Sequence, residues 1–529
     1  MDSSHIKVSE KDRLGKAAGI VSFYTLLSRI LGLVRDMVIA RFFGAGMAAD
    51  ALFVALKIPN MLRRFTAEGS MTIAFIPVFT EYMEKKSRED AFELARVALT
   101  LLSIILVVIT VTGVILSPWI VRMIAWGYGT GEKYELTVLL TRITFPYLFL
   151  VSIVAFFMGV LNSLRHFAAP AAAPIFLNLG IIGCTLFLSP YMSEPVIGAA
   201  IGVIIGGVVQ VALQMPWVIK KGLSLAPRWM PDHPAVKRIG MLILPSILGS
   251  AVYQINQLVL TLLASLLREG SVSWLYYADR LMELPLGVFA IAISTATLPS
   301  LARQAAGRNM EDFKDTLNHS LKLTFFITIP SMAGLIVLGK PIIHLFFQRG
   351  AFDAFSTDMT AKALIFYAVG LWAFSGVKII VSGFYALQDT VTPVRVSIFT
   401  LISYIFFGLL LKIPLEHCGL ALALSLSSSL QFVILIFLLS GKIDGWNLFP
   451  VIKSMFKSLC AAVTMGLAVI YLHSAWLVPT PESTNFYLSI KLIILMCTGI
   501  VVYFGTARIM GCEEISFVLN ILNRRTKEE

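Results

Sequence analysis

Long apolar runs broken by short polar stretches dominate this chain from residue 17 onward. Charge-free runs occupy 97–121, 143–164, 166–193, 195–219, 239–267, 284–302, 418–441 and 492–507. Most approach or exceed the roughly 20 residues that a helix needs to cross about 30 Å of hydrocarbon. Other apolar segments carry one to several charges. Together they predict about fourteen membrane helices, at 17–42, 48–80, 92–118, 137–162, 166–189, 196–219, 239–267, 272–303, 316–339, 358–388, 394–412, 417–440, 450–473 and 485–508. The longest internal polar stretch, "KKGLSLAPRWMPDHPAVKR" at 220–238, contains three prolines and reads as a cytoplasmic linker.

The fold class expected is therefore an all-α polytopic membrane protein. Residues 1–219 form an N-lobe of six helices and 239–441 a C-lobe of six, on either side of the linker 220–238. Residues 442–529 hold two further helices and a tail. A shift of 222 residues brings Pro77 onto Pro299, each closing a long second helix. An even number of spans between the halves makes them parallel repeats about an axis along the membrane normal, a common transporter plan.

Composition sharpens this. The chain is 57% hydrophobic and 14% charged with a mean hydropathy of +0.82, whereas a soluble domain runs near ~45–50% apolar and ~25% charged. The net charge of +12 suggests nucleic acid until the charges are placed. With fourteen spans and the N-terminus inside, twenty-two loop cations fall on the cytoplasmic side. Six fall outside: Arg41, Arg122, Lys133, Arg268, Arg349 and Lys412. That bias is the positive-inside rule, so both termini are expected in the cytoplasm and no nucleic-acid partner is implied. The polar start "MDSSHIKVSEKDRLGK" leads us to expect no cleavable signal peptide. The five cysteines are scattered without a C-x-x-C pair, as inert buried thiols would be.

The informative residues are the charges inside the apolar segments. Span one holds Ser28, Arg29, Arg35 and Asp36, and span two holds Asp50, Lys57, Arg63, Arg64 and Glu68. Span eight opens with Asp279, Arg280 and Glu283, and span ten carries Lys378. Seven positions return to nearly the same helix face, which aligns Ser28 with Arg35 and Arg29 with Asp36. Arg64 and Glu68 are spaced to pair along one helix. A charge at the bilayer centre costs about 2.5–3.5 kcal/mol on insertion scales, so five arginines must face a wet cavity, carboxylates, or both. Guanidinium matches phosphate bidentately and stays charged. An anionic, phosphate-bearing ligand is the reading that follows, with Asp36, Asp50, Glu68, Asp279 and Glu283 as charge partners.

Other motifs carry no chemistry. "GLIVLGK" at 334–340 has phosphate-loop spacing, but Pro341 stands where Ser or Thr is required. The seven histidines form no metal-ligand cluster, and no acid–histidine group marks an enzyme; no cofactor is expected. "GVIIG" at 202–206 marks close helix packing.

The blocks "SRILGLVRDMVIARFFGAGMAADALFVALKIPNMLRRFTAEGSMTIAFIPVFTEY", "GSVSWLYYADRLMELPLGVFAIAISTATLPSL" and "GFYALQDTVTPVRV" resemble the MurJ (MviN) family of lipid II flippases. The resemblance covers nearly the whole chain. It implies a multidrug/oligosaccharidyl-lipid/polysaccharide exporter fold, with two six-helix lobes around a cationic cavity and two terminal helices forming a lipid-tail groove. The implied cargo is lipid II, an undecaprenyl-diphosphate-linked peptidoglycan precursor, moved by alternating access from the cytoplasmic to the periplasmic leaflet of the inner membrane. Membrane lipids and the cell-wall synthesis machinery are the implied partners. The family's cavity residues fall on Ser28, Arg29, Arg35, Asp50, Arg63, Arg64 and Arg280. The alternative is an exporter of the same fold for another polyprenyl-diphosphate oligosaccharide or for drugs. Some members place a sodium site between spans seven and eleven. Here span seven offers only Gln254, Asn256 and Gln257, and span eleven has no carboxylate or amide. That leaves membrane potential or another monovalent-cation arrangement as the expected coupling.

Overall fold

The computed structural model describes residues 3–63, 74–475 and 485–516, and every regular element among them is helical. Lipid imposes this, because each backbone N–H and C=O must be satisfied within its own segment. Each of the fourteen predicted segments falls on a helix or on helices joined at a bend, the part of the second at 64–73 lying outside the described residues. By length and composition, nine helices among the described residues can cross a membrane, or ten if a bent pair counts as one span.

Part of the difference from fourteen lies in bends, and part in residues outside the described ones. Helix Met47–Arg63 has 17 residues, and residues 64–73 after it lie outside the described residues. Helix Val391–Ser440 has 50 residues, about 75 Å at 1.5 Å per residue. It is two spans broken at Glu416 (φ 48°, ψ −130°), just after Pro414. The expected span eight is Ser271–Pro285, a π turn at Leu286–Ala290, and Ile291–Ala306. Pro285 has no N–H to give, which loosens the ladder there. The expected span ten is Ala354–Ala368 and Leu371–Ala386, bent by 42°. The hydrophobic pattern did not predict the short helix Ser117–Ile124, which exposes Trp119 and Met123 and buries Val121 and Ile124.

The chain divides into two compact units, Met1–Ser273 with Arg349–Phe352, and Trp274–Gln348 with Asp353–Glu529. In the first unit, helices Ala168–Phe187 and Val196–Lys220 meet through glycines. A Cβ on Gly206 would lie 2.9 Å from the Leu177 Cα, and one on Gly180 would lie 2.7 Å from the Gly206 Cα. Gly206→Leu is therefore expected to cost on the order of 1–3 kcal/mol by overpacking. The thermal unfolding midpoint of purified protein reads this, with Gly183→Ala as the control, since a Cβ there meets nothing within 4 Å. The same unit buries a row of hydroxyls in helix Glu132–Thr144. Thr137 and Thr141 each donate to the carbonyl four residues back, at 2.6 and 2.7 Å.

The second unit repeats that device. In helix Met310–Phe347, Ser320, Thr324 and Thr328 donate to the carbonyls of Thr316, Ser320 and Thr324 at 2.8, 2.7 and 2.9 Å. Outside the spans, Asp389 clasps the start of helix Val391–Ser440. Its Oδ1 accepts from the Thr392 N–H at 2.9 Å, and its Oδ2 from the Thr392 hydroxyl at 2.6 Å and from Lys442 Nζ. Burial pushes its carboxyl up, but the hydrogen bonds from Lys442 and Thr392 more than offset this and hold it well below the usual carboxylate range. A depressed folded pKa gives stability that is complete above about pH 4 and fades as the pH falls through the folded value. Unfolding midpoints taken between about pH 5 and pH 3 are expected to fall less steeply in Asp389→Asn than in the unaltered chain.

Candidate functional site

The first unit carries a polar cluster on helix Ser3–Phe43. Arg35 Nε and Nη2 donate to Asp36 Oδ1 at 3.0 and 2.8 Å, and Arg35 Nη1 donates to Asn178 Oδ1 at 3.1 Å. Asn178 Nδ2 in turn donates to the Ser28 carbonyl at 3.2 Å. One amide thus bridges Ser28 and Arg35, the two positions that helical periodicity puts on one face. Asp36 is 2% exposed, and Arg35 keeps 16% of its side chain accessible. Arg29 points to an exposed side of the same helix.

Helix Met47–Arg63 adds two cations to this unit. Lys57 Nζ donates to Gln257 Oε1 at 3.3 Å. Arg63 is half-buried, and it and Arg35 both bear electrostatically on the buried Tyr147 hydroxyl. Tyr147 donates to Gln210 Oε1 at 3.4 Å, and Gln210 Nε2 donates to the Ala173 carbonyl at 2.9 Å. Arg64 and Glu68, with the pairing expected between them, lie outside the described residues.

Asp50 is placed differently from the arginine partner expected of it. It is 1% exposed and meets Lys133, whose Nζ donates to Oδ2 at 2.6 Å. The Gly270 N–H also donates to Oδ2, at 2.9 Å, and Ser273 gives Oδ1 both its N–H and its hydroxyl, at 2.8 and 2.6 Å. The carboxylate goes to whichever donors the fold brings, and here it joins three separate segments. Glu269 reinforces the junction by accepting from the Met47 N–H at 2.7 Å.

The second unit presents Arg280. Its Nη2 donates to the Tyr276 hydroxyl at 3.0 Å, its Nη1 to Glu283 Oε2 at 3.3 Å, and its guanidinium lies 4.9 Å from the Tyr276 ring centroid. Arg280 and Glu283 keep 40% and 38% of their side chains accessible. Asp279 is half-buried one residue away and bears on the buried Tyr367. Lys378 is exposed, and its carbonyl accepts from Ser294 and Ser382. Among the described residues, no three His, Cys, Asp or Glu side chains gather to hold a metal ion.

Part-buried guanidiniums paired with carboxylates on apolar helices, as at Arg35 and Arg280, suit the handling of an anion. A family model described as lipid II flippase MurJ matches residues 39–492. This chain belongs to the MurJ family. The probable lipid II flippase MurJ of Vibrio cholerae serotype O1 is 40% identical over 438 residues, covering 81% of this chain and 83% of that one. A solved structure of lipid II flippase MurJ in an inward closed conformation superposes with a TM-score of 0.77 at 28% identity, covering 93% of this chain and 98% of that chain. An inward-facing multidrug resistance MATE family transporter of the MOP superfamily shares the fold, at TM-score 0.69 and 16% identity over 80% of this chain and 98% of that one. Asp50, Arg63 and Arg280 lie inside the span matched by the MurJ family model, whereas Ser28, Arg29, Arg35 and Asp36 precede it.

Sequence reasoning found the charged members of these clusters and missed their neutral partners. Asn178 is an amide inside the charge-free run 166–193, and Tyr276 stands four residues before Arg280. Both were findable, by a lone amide in an apolar span and by helical spacing.

Proposed function

We propose that this chain is a lipid II flippase that carries the precursor from the cytoplasmic to the periplasmic leaflet of the inner membrane. The observation carrying the residue-level reading is the Arg35 cluster, a guanidinium on an apolar helix that meets the Asp36 carboxylate and the Asn178 amide. In this reading Arg29, Arg35, Arg63, Arg64 and Arg280 meet the diphosphate. Asp36 and Glu283 hold their arginines between cargoes and yield them when phosphate arrives. Such exchange needs only a differential interaction with two states. The protein acts as a transporter, and no bond in the cargo is made or broken.

Energy in this reading comes from the membrane potential acting on mobile arginines, worth about 2.3 kcal/mol per charge per 100 mV. The Lys57 ammonium on Gln257 supports it, since a sodium ion at that amide would have to share its oxygen with a fixed cation. Periplasmic exposure of lipid II in cells depleted of their own flippase tests the function. Expression of this chain is expected to restore exposure, and no restoration by well-inserted protein would overturn the assignment.

A further inference from the structure

At the end of the first unit that the loop-charge bias assigns to the cytoplasm, a cavity of about 650 Å³ opens on the molecular surface. Arg88, Arg96, Lys220, Lys221 and Arg228 line it, against only Glu89 and Glu93. The guanidiniums are preset by the backbone. Arg88 Nη2 donates to the Lys221 carbonyl at 2.8 Å and Arg96 Nε to the Ala226 carbonyl at 3.2 Å, while Arg228 pairs with Glu93 at 3.0 Å. Lys220 and Lys221 have no carboxylate partner among the described residues. An anion entering the cavity would meet two ammonium groups without a carboxylate partner, one of them, Lys220, 5.8 Å from the Trp217 ring centroid, and the N–H donors of three arginines.

The linker fixes how deep this cavity lies. It runs back along helix Arg88–Ile115, touching it at Arg88, at Arg96 and at Thr100, whose hydroxyl accepts the Arg228 N–H at 2.9 Å. From Arg88 to Thr100 the helix rises about 18 Å. The charge-free run begins at 97, so Arg96 and Arg228 stand where hydrocarbon gives way to headgroups. The next linker residues are exposed and apolar, Trp229 at 62% and Met230 at 37%. Tryptophan beside arginine is the composition of a membrane–water interface rather than of a loop in bulk water. Above the cavity the helix bares Ile104, Ile105, Val107 and Val108.

We propose that this cavity binds the phosphate headgroup of an anionic phospholipid of the cytoplasmic leaflet, its acyl chains rising along helix Arg88–Ile115 and Trp229 packing at the glycerol level. The bound lipid pins the linker to that helix. Basic pockets at this depth take such headgroups, and the exposed apolar flank selects a lipid over soluble phosphate. The inference stands apart from the cargo proposed above.

The test titrates purified full-length chain in detergent with phosphatidylglycerol, phosphatidylcholine or inorganic phosphate, following native mass spectra. Lys220→Gln/Lys221→Gln is expected to weaken phosphatidylglycerol binding about tenfold or more, with phosphatidylcholine and the unfolding midpoint unchanged. Brominated phosphatidylglycerol is expected to quench a fluorescence component that Trp229→Phe removes. Equal phosphatidylglycerol affinity in the double variant overturns the site. Inorganic phosphate that displaces the lipid at equal concentration overturns the lipid as its occupant, and quenching indifferent to Trp229→Phe overturns the depth.

Discussion

Arg35→Ala is expected to abolish most lipid II transport while the protein still reaches the membrane. Asp36 and Asn178 engage Nε, Nη1 and Nη2 of the guanidinium, and the side chain remains 16% accessible. A charge-assisted hydrogen bond is worth about 1.5–3 kcal/mol, so losing one phosphate contact lowers transport by about 10- to 150-fold. Part of any loss can come from Asp36, left buried with less positive charge beside it. Arg35→Ala combined with Asp36→Asn separates the two effects, because it removes the buried charge and leaves the cargo without its guanidinium. The pair is expected to recover the unfolding midpoint and not the transport. Arg35→Lys, which keeps charge but loses the planar fork, is expected to fall between. Wild-type lipid II exposure in cells carrying Arg35→Ala at normal membrane level would remove Arg35 from the cargo path.

Asp50→Ala is expected to fail in a different way, by loss of folded protein. The carboxylate is 1% exposed and collects four donors from Lys133, Gly270 and Ser273. Breaking a buried pair by removing one partner costs about 3–5 kcal/mol, and the orphaned Gly270 and Ser273 N–H groups add to it. Membrane accumulation and the unfolding midpoint are the readouts, both expected to drop below those of Arg35→Ala. Asp50→Asn with Lys133→Met discharges the pair together and is expected to recover part of the midpoint. An Asp50→Ala protein that melts like wild type yet does not transport would assign Asp50 to the cargo instead of the junction.

Much of this fold could be read from the sequence because lipid leaves the chain few choices. Uninterrupted apolar runs of membrane length mark where helices go. Pro146, Pro285 and Pro414 mark where they bend, although the bend at Gly370 has no proline; there Ser425 leaves no room for a Cβ and its hydroxyl donates to the Phe366 carbonyl. The cationic helices were legible from energy alone, since a guanidinium in hydrocarbon needs a reason to be there. Helical periodicity groups Ser28 with Arg35, and Asn178 meets both, at the Ser28 backbone carbonyl and at the Arg35 guanidinium.

Partner identity was not legible. Asn178 lies 143 positions from Arg35, and Lys133 lies 83 positions from Asp50. Periodicity says nothing about which helices become neighbours. The sequence pattern alone places Lys133 among the loop cations outside the membrane. In the structure it is the counter-ion of the buried Asp50 carboxylate.

The two hydroxyl rows have a consequence for electrical tightness. A line of buried serines and threonines through a membrane resembles a relay along which protons could hop. In both rows, however, each hydroxyl has a carbonyl of its own helix within donating distance, and Ser320 also lies 2.9 Å from the Thr297 hydroxyl. Passing a proton along would require each hydroxyl to turn away from that acceptor while still buried, which costs a hydrogen bond at every step. The rows therefore insulate. A carrier that lets a large polar headgroup through can in this way keep its own interior from leaking the ion gradient of the membrane that houses it.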